Sequence, residues 1–293
     1  MAPILLLGRQ GQVGWELART LAPLAPVIGL ARDDLDLADP DAIRRAVRRA
    51  QPRLIVNAAA YTQVDKAETE TELAMAINGT APGILAEEAK RAGAALVHYS
   101  TDYVFAGSGD RPWREDDAVA PLNAYGVSKL AGEQAIAATG GRHLIFRTAW
   151  VYADRGRNFL KTMQRLALER DELRVVADQH GAPTWARLIA EATALVLAAT
   201  RHRDGWDALA ERGGLYHLTS GGQTTWCDFA EAIVAASAPA GARRARVVGI
   251  ATSEYPTPAK RPAYSVLDCS RLADSFGIGL PDWRDGLALC LGD

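Results

Sequence analysis

Short apolar runs alternate with helical patterns throughout the first half of the chain. Apolar residues three or four positions apart predict helices through Leu17, Leu21 and Leu24, through Ile43, Val47 and Ala50, and over 81–92 and 125–139. Strands are predicted at Ile4–Leu7, Val27–Leu30, 54–56, 95–99 and 143–147. Runs this short and apolar are typical of a parallel sheet buried on both faces. Strands alternating with helices indicate right-handed crossovers, and therefore an α/β, Rossmann-type, doubly wound fold.

The second half of the chain has a less regular pattern. Helices are predicted over Phe159–Glu169, 188–199 and 228–236. A long helix is excluded near the C-terminus by Pro256, Pro258 and Pro262. We expect this half to complete the sheet and to add a smaller lobe over the strand ends. The predicted division is a Rossmann domain at 1–150, completed by parts of the later chain, and a mainly substrate-binding lobe at 151–293.

Composition and charge narrow the function classes. The 293 residues include 33 Lys plus Arg against 35 Asp plus Glu, so the chain lacks the basic excess of a nucleic-acid-binding protein. Cys227, Cys269 and Cys290 are far apart, which supports neither a disulfide framework nor a zinc site and indicates a reducing compartment. No uncharged apolar run approaches 18 residues, and the first residues lack a signal-peptide pattern. We therefore expect a cytoplasmic protein with no membrane partner.

A glycine-rich segment follows the first predicted strand and opens the first helix. Gly8, Gly11 and Gly14 form a Gly-x-x-Gly-x-x-Gly pattern that also contains Gln12 and Val13. Glycines there permit a tight turn and a close approach of backbone to a pyrophosphate, and the helix N-terminus favours an anion. An ordinary glycine-rich turn is the alternative. The strand–turn–helix context favours a bound NAD(P) cofactor.

The next strand ends should contact the rest of that cofactor. Arg32 follows the second strand and favours NADPH through its 2′-phosphate, although it could equally be a solvated loop residue and NADH stays open. Asp36 and Leu37 are candidates for the border of the adenine ring.

Small residues mark the end of the third strand. Ala58, Ala59 and Ala60, with Tyr61, would let a flat cofactor lie across the sheet edge, or would serve helix–sheet packing instead. Tyr99, which ends the fourth strand, is assigned to the same cofactor site.

The chemistry is predicted at the start of the helix over 125–139. Tyr125 and Lys129 lie one helical turn apart on one face. A neighbouring ammonium should lower the pKa of a tyrosine from about 10 towards the range useful for proton transfer. Thr101, at the end of the preceding strand, could donate a hydrogen bond to a substrate carbonyl oxygen, or could simply cap a turn. The three residues predict a nicotinamide-dependent oxidoreductase.

These motifs together resemble the extended short-chain dehydrogenase/reductase family over essentially the whole chain. Beyond the glycine loop, the resemblance rests on 56–60, 64–68, 100–105, 121–126, 147–152, 158–159, 178–184 and 256–262. The earlier motifs are shared by enzymes that act on sugar nucleotides. The later ones resemble a narrower set that reduces deoxysugar nucleotides.

The resemblance implies an activity and a set of substrate contacts. The activity is reduction of the C4 ketone of dTDP-4-dehydro-L-rhamnose to dTDP-L-rhamnose, with Tyr125 protonating the product oxygen. The residues implied to contact the dTDP-sugar are Thr101, Asp102, Tyr103, Trp150, Asn158, Gln179 and Arg261. Some family members form magnesium-linked dimers through glutamates. Glu16 matches one such position, which leaves Mg²⁺ and a homodimer open.

Two other functions compete with this hypothesis. One is an epimerase or dehydratase that acts on another nucleotide sugar and regenerates its cofactor. The other is a non-catalytic regulatory subunit, because a fold alone does not establish an activity. The intact set of Tyr125, Lys129, Thr101 and glycine loop argues against the regulatory alternative.

Overall fold

A parallel sheet of six strands forms the centre of the molecule. The computed structural model describes residues 2–202, 205–237 and 245–292. Its strands are β1 Ile4–Leu7, β2 Val27–Leu30, β3 Leu54–Asn57, β4 Ala95–Thr101, β5 His143–Thr148, β6 Val151–Tyr152, β7 Glu172–Val176, β8 His180–Gly181, β9 Thr184–Trp185, β10 Gly214–His217, β11 Thr224–Thr225 and β12 Arg246–Ile250. The central sheet has the order β10-β5-β4-β3-β1-β2. Every neighbouring pair in it is parallel, as the doubly wound fold requires.

Twelve α-helices of the described part connect and cover these strands. They are α1 Gln12–Thr20, α2 Pro40–Ala50, α3 Val64–Ala67, α4 Thr71–Met75, α5 Ala81–Arg91, α6 Ala124–Ala138, α7 Phe159–Glu169, α8 Ala186–Thr200, α9 Leu209–Arg212, α10 Trp226–Ser237, α11 Ser270–Phe276 and α12 Trp283–Leu291. A π-helical turn, Ala76–Thr80, joins α4 to α5. Asp39 begins α2 by accepting hydrogen bonds from two backbone N–H groups of its first turn, the usual role of an acidic cap.

Helices pack on both faces of the sheet. Along β1, Leu5 points into a core formed with α2 and α5, whereas Leu6 points to the opposite face, covered by α1 and α8. Because side chains alternate along a strand, an uninterrupted apolar run supplies both cores. This burial on two faces explains why β1 and β3 have no solvent-exposed position.

The second half of the chain adds a separate core beside the sheet. Tyr152, Phe229 and Trp283 are buried there with residues of α7, α8, α10 and α12. The strands β7 and β12 form a parallel pair in this region. The later chain also supplies an edge strand of the central sheet, because β10 pairs with β5.

Several expectations about local structure need correction. The first helix ends at Thr20, so Leu24 belongs to the turn before β2. The strands β7, β10 and β12 and the helices α11 and α12 were not predicted. Their apolar runs are short, and that of β7 is interrupted by Arg174, so periodicity alone does not reveal them. Within the described ranges, no helix is both long and apolar enough to cross a membrane.

Candidate active site

A cleft of about 580 Å³ runs along the carboxyl ends of β1 to β5. In a doubly wound sheet this edge is where ligands bind. The predicted cofactor residues that line it are Gly8, Gly11, Gln12, Val13, Arg32, Asp36, Leu37, Ala58, Ala59, Ala60, Tyr61, Tyr99, Tyr125 and Lys129. Gly14 does not line the cleft. The fold therefore gathers nearly all of the residues that the sequence assigned to a cofactor.

The glycine loop is packed too tightly for side chains. Gly8 has a φ of +79°, and a Cβ there would lie 2.7 Å from the backbone nitrogen of Ala59. A Cβ on Gly14 would overlap the carbonyl of Gly8, so Gly14 serves helix–strand packing. Gly11 begins α1 without a side-chain hydrogen bond to its first turn. The N–H groups of that turn are consequently available to an anion in the cleft.

One end of the cleft is formed by the segment after β2. Arg32 and Asp36 are exposed there, and Leu37 is buried. The Ala31 N–H donates to the carboxylate of Asp34 at 2.8 Å. This hydrogen bond closes the turn that contains Arg32. Arg32 itself is exposed at the mouth of the cleft.

Asn78 joins the middle of the cleft to α6. Its Oδ1 accepts from the Tyr61 N–H at 2.8 Å, and its Nδ2 donates to the Tyr61 carbonyl at 3.0 Å and the Ser128 hydroxyl at 3.1 Å. The Tyr61 hydroxyl donates to Glu70 at 2.5 Å, and burial raises its pKa to about 12. Asn78 lies in the π-helical turn, and sequence reasoning missed it. Such turns are frequent at functional sites, but the amino-acid pattern carries no signal for one.

Tyr125 lies in the first turn of α6, at the other end of the cleft. Asn123 caps this helix by accepting from the Gly126 N–H at 2.8 Å, and it also donates to the Lys260 carbonyl at 2.8 Å. The Tyr125 ring meets the Tyr103 ring edge-on, with centroids 5.8 Å apart. Burial raises the pKa of Tyr125 to about 12, while a hydrogen bond with Thr101 lowers it and the charge of Asp102 raises it. The expected lowering of this pKa by Lys129 is wrong for the chain alone.

The side chain of Lys129 makes its hydrogen bonds with β4 and not with the hydroxyl of Tyr125. Its Nζ donates to the backbone carbonyl of Tyr99 at 2.5 Å and lies 3.1 Å from Nε2 of His98. Burial lowers the pKa of Lys129 to about 8, against a smaller raising effect of Glu133. His98 is buried and is contacted on its other side by the Asn57 amide at 3.1 Å. The lysine is therefore held at the cleft lining by residues of β4.

Thr101 caps a turn, which was one of the two roles considered for it. Its hydroxyl accepts from the Tyr103 N–H at 3.2 Å, which caps the short 3-10 helix Asp102–Val104. The same hydroxyl donates to the Asp102 carboxylate at 3.0 Å. Burial raises the pKa of Asp102 to about 6. Because a hydroxyl has one proton, Thr101 must rotate away from Asp102 before it can donate to a ligand.

Two buried hydroxyls that sequence reasoning missed also line the cleft. Ser100 and Thr148 end the neighbouring strands β4 and β5, and neither hydroxyl oxygen has a hydrogen-bond partner. An unsatisfied buried polar atom is costly unless a ligand or water completes it. Both line the same cleft as Tyr125 and Lys129, and a polar group of a bound ligand could complete their hydrogen bonds.

The residues predicted to contact the sugar do not line the cleft, and other side chains hold three of them in place. Trp150 has an unusual φ of +47° and stacks on Trp226 with ring centroids 3.6 Å apart. Gln179 is buried and donates to the Thr252 hydroxyl at 3.1 Å. Arg261 forms two hydrogen bonds with Asp65, at 3.0 and 2.8 Å. Trp226 was missed because its partner is distant in sequence.

Asn158 has a different position from the one expected of a sugar contact. Its Oδ1 accepts from the Lys161 N–H, which caps α7, and its Nδ2 donates to Gln12 at 2.9 Å and to the carbonyls of Ala153 and Arg155. With every polar atom of its amide engaged, Asn158 is a positioning residue that ties α7 to the glycine loop.

Glu16, the candidate for a magnesium link, is buried and paired within the chain. Its carboxylate contacts Arg19 and, at 3.3 Å, Arg187. Among residues 2–202, 205–237 and 245–292 there is no group of three His, Cys, Asp or Glu side chains arranged to hold a metal ion. The two arginines supply the countercharge that a metal would otherwise provide.

The sequence and the fold of this chain are similar to those of known proteins over nearly the full length. The family model described as "RmlD substrate binding domain" matches residues 1–293. A dTDP-4-dehydrorhamnose reductase of Burkholderia thailandensis is 55% identical over 99% of this chain and 98% of its own. The solved dTDP-4-dehydrorhamnose reductase of Clostridium acetobutylicum has a TM-score of 0.90 at 36% identity, covering 99% and 98% of the two chains. That of Bacillus anthracis, solved in complex with NADP, has a TM-score of 0.89 at 33% identity with the same coverage.

Proposed function

The chain belongs to the RmlD substrate binding domain family, and we propose on that premise that it reduces dTDP-4-dehydro-L-rhamnose to dTDP-L-rhamnose with NAD(P)H. It is an oxidoreductase of dTDP-rhamnose biosynthesis. The observation that carries the proposal is the 55% identity over nearly the full length to a reductase of this name, joined to a cleft that contains Tyr125, Lys129 and the glycine loop.

The cofactor site fits a dinucleotide along its whole length. The uncapped first turn of α1 suits the pyrophosphate, and the orphaned hydroxyls of Ser100 and Thr148 suit the nicotinamide carboxamide. Arg32, at the mouth, suits the 2′-phosphate of NADPH. A related reductase was solved with NADP, which supports this choice. When bound, the cofactor supplies a hydride to the C4 carbon of the sugar.

Tyr125 supplies the proton. Its raised pKa, about 12, keeps the hydroxyl protonated at neutral pH, which is the state that a general acid needs before reduction. The oxygen at C4 becomes an alkoxide as hydride arrives, and an alkoxide is basic enough to take a proton from a phenol of this pKa. Thr101, after rotating from Asp102, donates a hydrogen bond that stabilises the same developing charge.

Residues of the C-terminal lobe select the sugar nucleotide. Trp150 presents an aromatic face made rigid by its stack on Trp226, which suits the apolar face of a deoxysugar. Arg261 is held by Asp65 close to Tyr103, where it can approach the substrate diphosphate. We assign Gln179, which is buried and held by Thr252, to the nucleotide end of the substrate.

The competing functions have less support. An epimerase or dehydratase is not favoured, because the relatives of high identity and full coverage are reductases. We place the enzyme in the cytoplasm, since all three cysteines are free thiols, as a reducing compartment allows. A homodimer is compatible with this proposal, and light scattering of the purified chain would measure it.

Turnover in a coupled assay tests the proposal. The purified chain is mixed with NADPH and with dTDP-4-dehydro-L-rhamnose generated in situ, and loss of the reduced nicotinamide absorbance is followed. We expect one NADPH oxidised for each dTDP-L-rhamnose formed. Tyr125→Phe should bind NADPH as the wild type does but lose at least about 100-fold in kcat, the scale of general acid catalysis. Absence of turnover with both NADPH and NADH would refute the assignment.

A further inference from the structure

The chain returns to the glycine loop after β6, and an arginine meets α1 there. The guanidinium of Arg155 lies over the ring of Trp15, with its carbon 3.6 Å from the ring centroid. Trp15 is in the first turns of α1, and its side chain is largely exposed. Arg155 lines the same cleft as Gly11 and Gln12. A stacked guanidinium is thereby fixed beside the start of α1.

This guanidinium lacks a countercharge of its own. Within the described ranges no carboxylate forms a salt bridge with Arg155, although sixteen other arginine–carboxylate pairs are present there. Its Nη1 atom is buried and has no hydrogen-bond partner. A buried cationic donor without a partner is costly, and a bound anion would remove that cost.

The backbone on both sides of Arg155 is attached to the glycine loop. Asn158 donates from its Nδ2 to the Arg155 carbonyl and to the Gln12 side chain, both at 2.9 Å. Gln12 in turn donates to the Val151 carbonyl at 3.4 Å. The position of Arg155 relative to the first turn of α1 is therefore set by side chains rather than by the loop alone.

The glycine loop needs such a cation. A pyrophosphate carries two negative charges, whereas a helix N-terminus offers the equivalent of about half a positive charge. The loop's own arginine, Arg9, lies against Gly29 and is not part of the cleft lining. Arg32 lies at the far end of the cleft, beyond the second strand. Arg157 also lines the cleft and is exposed, whereas Arg155 is the arginine stacked on Trp15 of α1.

We propose that Arg155 binds the pyrophosphate of the nicotinamide cofactor and supplies the charge that the glycine loop lacks. The inference rests on the proposed function, because it names a further residue of that same site. The pyrophosphate is common to NADH and NADPH, so Arg155 contributes equally to the binding of both. Arg32, in contrast, meets only the 2′-phosphate.

Equilibrium binding of the two cofactors tests the role of Arg155. Titrations of the full chain with NADPH and with NADH, followed by nicotinamide fluorescence, give Kd values without turnover. Arg155→Ala should raise both Kd values by the same factor, roughly ten- to hundredfold, as expected for a lost charge-assisted contact. Arg155→Lys should recover part of the loss. Arg49→Ala, which removes an exposed charge on α2 away from the cleft, should leave both Kd values unchanged.

Three results would overturn the inference. Unchanged Kd values in Arg155→Ala, with tight binding by the wild type, would remove Arg155 from the site and leave the proposed function intact. A loss confined to NADPH would assign Arg155 to the 2′-phosphate instead. Wild-type chain that binds neither cofactor would overturn the proposed function as well. Far-ultraviolet circular dichroism of each variant shows whether a loss of binding comes from unfolding.

Discussion

Lys129 Nζ lies 3.1 Å from His98 Nε2 and donates to the Tyr99 carbonyl, so the lysine is held by β4 rather than by the hydroxyl of Tyr125. His98 Nδ1 faces the side-chain amide nitrogen of Asn57. The oxygen of the same amide accepts a hydrogen bond from the Ala59 N–H, which fixes the orientation of the amide. A neutral imidazole has one donor and one acceptor. Because Nδ1 accepts from Asn57, Nε2 carries the ring proton and directs it at Lys129 Nζ. This second donor disfavours the ammonium form of Lys129, and burial of the lysine disfavours it as well. This arrangement agrees with a lysine of lowered pKa.

The charge of Lys129 should therefore be lost near pH 8. Its pKa is lowered to about 8 by burial, so the ammonium is present below that pH and disappears as pH rises through it. We expect kcat/KM to fall above about pH 8. The neutral amine no longer stabilises the negative charge that develops on the substrate oxygen during reduction. In Lys129→Arg the side chain stays charged at every accessible pH. That variant should be slower but should lack the fall, and a fall with an unchanged midpoint would contradict this role of Lys129.

Arg32 should determine the choice between the two cofactors. The residue is exposed at the mouth of the cleft after β2. Arg32→Ala should raise the Kd for NADPH by roughly tenfold or more and leave that for NADH within about twofold, since only NADPH has a 2′-phosphate. Fluorescence titration measures both constants. Equal changes for NADPH and NADH would show that Arg32 does not meet the 2′-phosphate.

Asp102 should lower the stability of the enzyme at neutral pH. Its pKa is raised from 3.8 to about 6 by burial. A carboxyl with a raised folded-state pKa contributes stability below pH 3.8, and that contribution is lost as pH rises through 6. Asp102→Asn keeps an oxygen that can accept from Thr101 and does not ionise. The free energy of unfolding of Asp102→Asn minus that of the wild type should grow by about 2 kcal/mol between pH 4 and pH 7.

Denaturant unfolding at several pH values measures this difference. The expected trend belongs to the difference between the two proteins, because the other carboxyl groups are common to both. A difference that stays constant over this range would mean that Asp102 titrates normally in the folded state.

Gly181 should control the position of Trp150. A Cβ at residue 181 would lie 2.6 Å from Nε1 of the Trp150 indole, which is closer than van der Waals contact permits. Gly181→Ala should displace the ring from its stack on Trp226 and raise the KM for the dTDP-sugar several-fold. The Kd for NADPH should be unchanged, since Gly181 and Trp150 are absent from the lining of the cofactor cleft. An unchanged KM would remove Trp150 from the sugar site.

The features that the sequence predicts best are those with a local physical cause. The strands β1 to β5 are short and mainly apolar. The glycine spacing 8, 11, 14 lies between a strand and a helix, the context in which it favours a cofactor-binding turn. Asn123 and Tyr125 are close in sequence, so the cap and the proposed proton donor share one turn.

The features that were missed depend on contacts between distant residues. Asn78 bonds to Tyr61 and Ser128, and Trp150 stacks on Trp226. Arg155 could not be assigned to the cleft because its position depends on Asn158 and Gln12, far apart in the chain. The pKa of Tyr125 was misjudged for a related reason. Helical spacing placed Lys129 beside it, but burial and the partners in β4 determine where the ammonium points.

Transfer of a labelled hydride tests the central claim most directly. The enzyme is supplied with dTDP-4-dehydro-L-rhamnose and with NADPH carrying deuterium at the transferable position of nicotinamide C4, and the product is examined by proton NMR. We predict dTDP-L-rhamnose with deuterium at sugar C4 and loss of the H4 signal, and the same label at a much lower rate in Tyr125→Phe. Product without deuterium at C4, or label at another carbon of the sugar, would contradict direct reduction of the C4 ketone.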